Sequence, residues 1–226
     1  MAQVLDELVR VQYQRWERNR RSAAAERPQP CVTLSRLPGA GADEFGRRLA
    51  ERLDYAFFGI EIVDRIARET GLRYELVAGV DEHVRGTIER YVVDAFRGAR
   101  FTESDYLRHV VRTVAALGER GAAVILGRGS PFILPAERAL RVFLTAPRAH
   151  RVERIAKQEQ LSREAAEARL DALDEDRRAF LVHHFRRDPD APEHYDLMLN
   201  LGTLSLDAAL DLCELALRAR FGAPPR

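Results

Sequence analysis

Cys31-Val32-Thr33-Leu34-Ser35 is a short apolar run of strand character, Arg36-Leu37-Pro38-Gly39-Ala40-Gly41-Ala42 is a glycine-bearing turn, and Phe45, Leu49 and Leu53 then recur every fourth residue. A strand, a glycine turn and an amphipathic helix in that order build a cradle for phosphate. Glycines let backbone N–H groups converge on an anion at the helix N-terminus, where the peptide dipoles also favour negative charge. Arg36, Pro38, Gly39, Ala40, Gly41, Ala42, Asp43 and Glu44 are therefore the expected phosphate-binding residues. The common G-x-x-x-x-G-K-[ST] loop would place Lys at Ala42 and a hydroxyl at Glu44; this chain has neither.

Further strand candidates are Ala56-Phe57-Phe58, Ala122 to Leu126, Leu140 to Leu144 and, fifth, Asp196 to Asn200. Uninterrupted apolar strands separated by helical stretches predict a parallel sheet covered on both faces. Helices are expected over Asp43 to Leu53, Glu61 to Thr70 stopping at Gly71, and Leu206 to Phe221. One follows a cap at Thr102 or Ser104 and ends at Gly118 or Gly121, and another, spanning Val77 to Phe96, is broken near Gly79 and Gly86. Five strands and at least six helices make a doubly wound domain with its ligand crevice at the C-terminal ends of the strands. Ser35, Gly127-Arg128-Gly129 and Thr145 fall at those ends.

Ahead of this domain, Leu5, Val9, Tyr13 and Trp16 trace one stripe of a helix that ends in Arg15, Arg18, Arg20 and Arg21, and the alanines and prolines of Ser22 to Pro30 read as a linker. Residues 1–27 are thus expected to form an N-terminal helix and linker, and 28–226 the domain. The helix is a candidate for packing on the domain or on a second copy of the chain. Binding of nucleic acid or of an acidic partner by its arginines is the less favoured alternative.

The chain has 226 residues and a net charge of +1, so its total charge points to neither a nucleic-acid nor a membrane partner. Of 36 basic residues only Lys157 is lysine, a bias that lowers the weight of any single Arg. Cys31 and Cys213 lie singly in apolar runs, which fits core thiols in a reducing compartment. With no signal pattern and no run near the ~18 apolar residues of a membrane span, the expected location is the cytoplasm.

Phosphoryl transfer needs positioning and neutralised charge more than covalent help. The arginines placed to supply it are Arg128, Arg148, Arg151 and Arg154 after the fourth strand, and Arg177 and Arg178 further on. Arg148, Arg151 and Arg154 share a helical face by spacing; a solvated face partnered by Glu153 is the plain alternative. Ser162-Arg163-Glu164 opens a long helix on which Asp174 pairs by spacing with Arg177 and Arg178. His183 and His184 are adjacent, which is a poor metal-ligand spacing.

Taken in order, these features resemble the cytidylate kinase-like family of P-loop nucleoside monophosphate kinases. Val32-Thr33-Leu34-Ser35-Arg36 with Gly39-Ala40-Gly41 is similar to that family's first strand and glycine turn, which commonly lacks the lysine. Gly127-Arg128 resembles its Gly-Arg element at the third strand. Arg151, Arg154 and Asp174-x-x-Arg177 with Phe180 resemble its lid, and Tyr195-Asp196-Leu197 through Asn200 its last strand. The resemblance implies a P-loop NTPase three-layer α/β/α fold with a five-stranded parallel sheet and a helical lid over about 148–190. It further implies ATP and Mg²⁺, and transfer of the γ-phosphoryl group to CMP or a similar monophosphate. By the same resemblance Arg151, Arg154 and Arg177 are catalytic and Arg128 binds the acceptor; Arg178, beside Arg177, is expected to share the charge neutralisation, and Glu44, with Asp43 at the turn, is a candidate metal ligand. Asp43 stands where relatives often carry Arg, Gly59-Ile60 replaces an Asp-Arg pair, Gly129 replaces Asp, and Leu201 replaces Thr. Arg36 could stand in for the lysine. A nucleotide-binding sensor or scaffold that has lost catalysis is the alternative reading.

Overall fold

A computed structural model describes residues 10, 11, 14, 29–68, 82–95 and 105–222. The chain forms one parallel sheet of β1 (Cys31–Arg36), β2 (Ala56–Phe58), β3 (Ala123–Leu126), β4 (Ala139–Thr145) and β5 (Leu197–Asn200), in the order β2-β3-β1-β4-β5. β1 is central, with Val32 beside Val124 of β3 and Leu140 of β4.

Alternation along the strands feeds two cores. Val32, Leu34, Val124, Leu126, Leu140 and Val142 meet α1 (Ala42–Leu53) and the closing α8 (Leu206–Phe221) on one face. Cys31, Ala123, Ile125 and Ala139 meet α2 (Ile60–Arg68), α3 (Glu82–Ala95), α4 (Asp105–Arg120) and the single turn α5 (Ser130–Ile133) on the other. The sheet is thus covered on both faces, as its unbroken apolar strands require. Both cysteines are fully buried, and burial pushes each thiol up to about 12.

After β4 the chain leaves the sheet as a helical hairpin, α6 (Arg148–Glu159) and α7 (Arg163–Phe185). Ser162 caps α7 by accepting from the Ala165 N–H at 3.3 Å. The hairpin has a small core of its own, Val152, Ile155, Ala166 and Leu170, separate from both sheet cores. These are the elements expected to form the lid.

Most expected boundaries hold within a residue or two. The break near Gly86 does not: α3 runs through it without interruption. Gly86 faces open space, while Ile88 is buried and Tyr91 donates to Glu119 at 2.7 Å, so packing on α4 outweighs the roughly 1 kcal/mol helical penalty of glycine. The N-terminal helix apart from residues 10, 11 and 14, the stop at Gly71, the break at Gly79 and the caps at Thr102 or Ser104 lie outside the described residues.

Candidate functional site

Where β1 ends, the Leu37 N–H still donates to Leu144 of β4, at 2.9 Å, and the chain then turns through Gly39 (φ 77°) and Gly41 (φ 91°) into α1. Positive φ is one reason for glycine at both positions. Close approach is the other. A Cβ on Gly39 would stand 2.8 Å from the Arg151 carbonyl oxygen, and one on Gly41 3.0 Å from the Arg154 guanidinium carbon. No side chain caps α1, so the N–H groups of its first turn are left for an anion. Asp43 and Glu44 sit in that turn, exposed at the mouth.

The turn forms one wall of a cleft of about 1000 Å³ at the C-terminal end of the sheet. Arg36, Pro38, Gly39, Ala40, Gly41, Ala42, Asp43 and Glu44 all line it, as do Arg128, Arg154 and Arg177. Arg154 reaches over Gly41, 3.5 Å from Glu44. Arg177 is almost wholly buried. It donates to Asp190 at 2.8 Å, to the Pro189 carbonyl at 3.2 Å and to Ser35 at 3.3 Å, and it lies over the Phe143 ring at 5.3 Å. Arg128 has φ 51° between two glycines that are also left-handed. Its guanidinium packs on the Phe180 ring at 5.5 Å and forms a two-pronged pair with Asp64, to which Tyr106 also donates at 2.6 Å. Burial works against the Arg128 cation, but the hydrogen bonds and charge of Asp64 outweigh it and hold the group above its usual value.

Arg151 and Arg178 do not line the cleft. Arg151 is buried and donates to both Asp174 oxygens, at 2.8 and 3.0 Å, and to the Pro38 carbonyl at 3.3 Å. It joins the lid to the glycine turn. Arg178 is half exposed and pairs at 3.4 Å with Asp188 and Asp190. Two readings by spacing are therefore corrected. Asp174 pairs across the hairpin with Arg151, not along α7 with Arg177 or Arg178. The arginines of α6 find Asp171, Asp174 and Glu44 instead of Glu153. Spacing on one helix ranks only neighbours on that helix, and α6 and α7 lie side by side.

Apolar residues also line the cleft, Ile60, Pro131, Phe132, Phe180 and Leu181 among them, together with Glu61. A Cβ on Gly129 would overlap the Phe185 ring, so glycine at this position is set by how closely α7 packs. Asp64, Tyr106 and Asp190 were not singled out from sequence. Asp64 carried a faint signal, lying one helical turn after Ile60; Tyr106 and Asp190 carried none before folding. Among the described residues no group of three or more His, Cys, Asp or Glu is placed to hold a metal, His183 and His184 included.

A parallel sheet with its central strand running through a glycine turn into a helix, and with arginines gathered at that turn, defines a P-loop NTPase fold. Residues 31–203 match the cytidylate kinase-like family, and the chain belongs to it. It is 25% identical over 197 residues to the cytidylate kinase of Methanopyrus kandleri, covering 82% of this chain and 92% of that protein. It shares its fold with a crystal structure of an uncharacterized protein from Eubacterium ventriosum, with a TM-score of 0.66 at 16% identity over 85% of this chain and 100% of that one. No described helix is long and apolar enough to cross a membrane.

Proposed function

We propose that the protein is a phosphotransferase that moves the γ-phosphoryl group of ATP to CMP or a similar nucleoside monophosphate. The observation that carries this reading is the convergence of Arg36 of β1, Arg128 of the turn after β3, Arg154 of α6 and Arg177 of α7 on one cleft beside an uncapped glycine turn. Such a ring supplies the distributed positive charge that a transferring phosphoryl group needs. Family membership and the relative named cytidylate kinase support the same chemistry.

In this reading the turn from Pro38 to Ala42 and the first residues of α1 hold the donor phosphates, and Arg154 closes over them from the lid. Arg177 neutralises the group in flight. Arg128, steadied by Asp64 and Tyr106, meets the acceptor phosphate, with the nucleoside against the apolar residues of the cleft. Arg151 acts at one remove, by holding the turn against the lid. No general base is required when the acceptor phosphate is already ionised. With carboxylates at the turn but no protein-only cage among the described residues, Mg²⁺ would be held by the donor phosphates with Glu44 or Asp43. When bound, it would offset charge on those phosphates. Domain limits of 28–226 with a lid over about 148–190, and a location in the cytoplasm, belong to the same proposal.

The test is ADP formation by purified protein with MgATP and each monophosphate in turn. Turnover with CMP or a relative supports the reading. Nucleotide binding without turnover on any acceptor would replace it with a sensor or scaffold.

A further inference from the structure

Four of the five arginines lining the cleft are engaged: Arg128 by Asp64, Arg154 by Glu44, Arg177 by Asp190 and Ser35, and the exposed Arg47 against the Phe57 ring at 6.0 Å. Arg36 differs. Arg36 is half-buried, and among the described residues its side chain has no hydrogen-bond or ion-pair partner. Its side chain comes from the last residue of the central strand, ahead of the glycine turn, and one terminal nitrogen lies 3.8 Å from where a Cβ on Gly127 would stand. The cation thus spans from the donor-side turn to the turn after β3 that carries Arg128. Burial, and the charges of Arg177 and Arg128, push its pKa down to about 10 against the pull of Asp43, so it is still a cation at neutral pH but a poorly compensated one. Unpaired charge in a half-buried position is costly unless an anion is due there.

We infer that Arg36 is a catalytic residue that contacts the transferring phosphoryl group from the strand end, supplying the charge that phosphate loops with lysine supply from the position of Ala42. This rests on the phosphotransferase reading. In the step itself an acceptor phosphate oxygen bonds to the γ-phosphorus while that phosphorus separates from the β,γ-bridging oxygen. ADP leaves with the electron pair, and no proton moves. Negative charge builds on the γ-phosphoryl oxygens and the bridging oxygen, between the two halves that Arg36 joins. A guanidinium there acts on the transition state more than on the bound acceptor.

The test compares Arg36→Met, which keeps the aliphatic stem, and Arg36→Lys with the wild type, and then places Ala42→Lys in the Arg36→Met chain. Expected results are a kcat about 100-fold lower for Arg36→Met, an acceptor KM within about threefold of the wild type, and at least a tenfold recovery on adding Ala42→Lys. Calorimetry with a non-hydrolysable ATP analogue and with ADP gives a second readout: the wild type prefers the triphosphate and Arg36→Met loses that preference. The Arg36→Met melting temperature is expected at or above that of the wild type, since an uncompensated cation has been removed. A rise in acceptor KM alone, no recovery with Ala42→Lys, or an unchanged triphosphate preference overturns the assignment. A wild type that transfers to no acceptor overturns the phosphotransferase reading instead, and leaves Arg36 to be decided by the triphosphate preference.

Discussion

Gly129 shows how much one residue settles at this site. It stands in a left-handed conformation and against the Phe185 ring. Gly129→Ala should destabilise the protein by about 2–4 kcal/mol through overpacking and left-handed strain, with Phe185→Ala in the same chain recovering part of the loss. Urea midpoints of the two single variants and the double variant check this, and simple additivity would show that the two residues do not meet. Asp64 is the other residue of this kind. It fixes Arg128 through two hydrogen bonds and leaves only part of the guanidinium for substrate. Asp64→Asn should raise the acceptor KM about tenfold or more while kcat falls less, as steady-state kinetics across acceptor concentrations would show. The thiols are inert by comparison. Cys31 and Cys213 titrate near 12 when folded, against 9.0 as the ordinary value. Their raised folded pKa values add stability that is whole below pH 9 and is lost as pH rises towards 12. Each contributes a slope of about 1.4 kcal/mol per pH unit in that window. Denaturant midpoints above pH 9 should therefore fall less steeply in a Cys31→Ala, Cys213→Ala chain.

At the level of elements, the outer part of the lid hairpin packs on a core of its own of four buried residues, while Leu181 and Phe185 at the far end of α7 enter the core on one face of the sheet. Arg151 joins α6 to the Pro38 carbonyl of the glycine turn and, within the hairpin, to Asp174 of α7. Removing one partner of a buried pair costs about 3–5 kcal/mol, whereas replacing both with apolar residues is often neutral. Asp174→Ala should thus speed hydrogen exchange in α6, α7 and the glycine turn, with the strands unchanged, and Arg151→Met with Asp174→Leu should restore most of the protection. Loss of protection throughout the sheet would show that the hairpin does not open as a unit. Arg177 marks the other end of this element. Bound to Ser35, Pro189 and Asp190, it anchors the C-terminal half of α7 at the strand ends. Opening of the lid is then expected at α6 and the first turns of α7, not at Arg177.

For the molecule as a whole, the cleft concentrates cations that the folded chain only partly neutralises, so a polyphosphate should stabilise it. A nucleotide at 100 times its dissociation constant adds about 2.7 kcal/mol, visible as a melting temperature that rises with ATP concentration and rises less in Arg36→Met. The five strands, their order along the chain and the glycine turn were legible in the sequence, because each is a local pattern: largely apolar runs of strand length, apolar residues every fourth position, glycines where φ must be positive. The ring of cleft arginines was half legible. Strand ends and a lid pointed to Arg36, Arg128, Arg154 and Arg177, but the same signals also pointed to Arg151 and Arg178, which the fold turns towards carboxylates outside the cleft. Local patterns in the chain were enough to specify the parallel sheet, the glycine turn after β1 and the family to which the chain belongs. Which arginines face the cleft and which are spoken for depended on folding, because Asp64, Asp174 and Asp190 reach their partners through packing between elements, and no periodicity within one element records a contact with another.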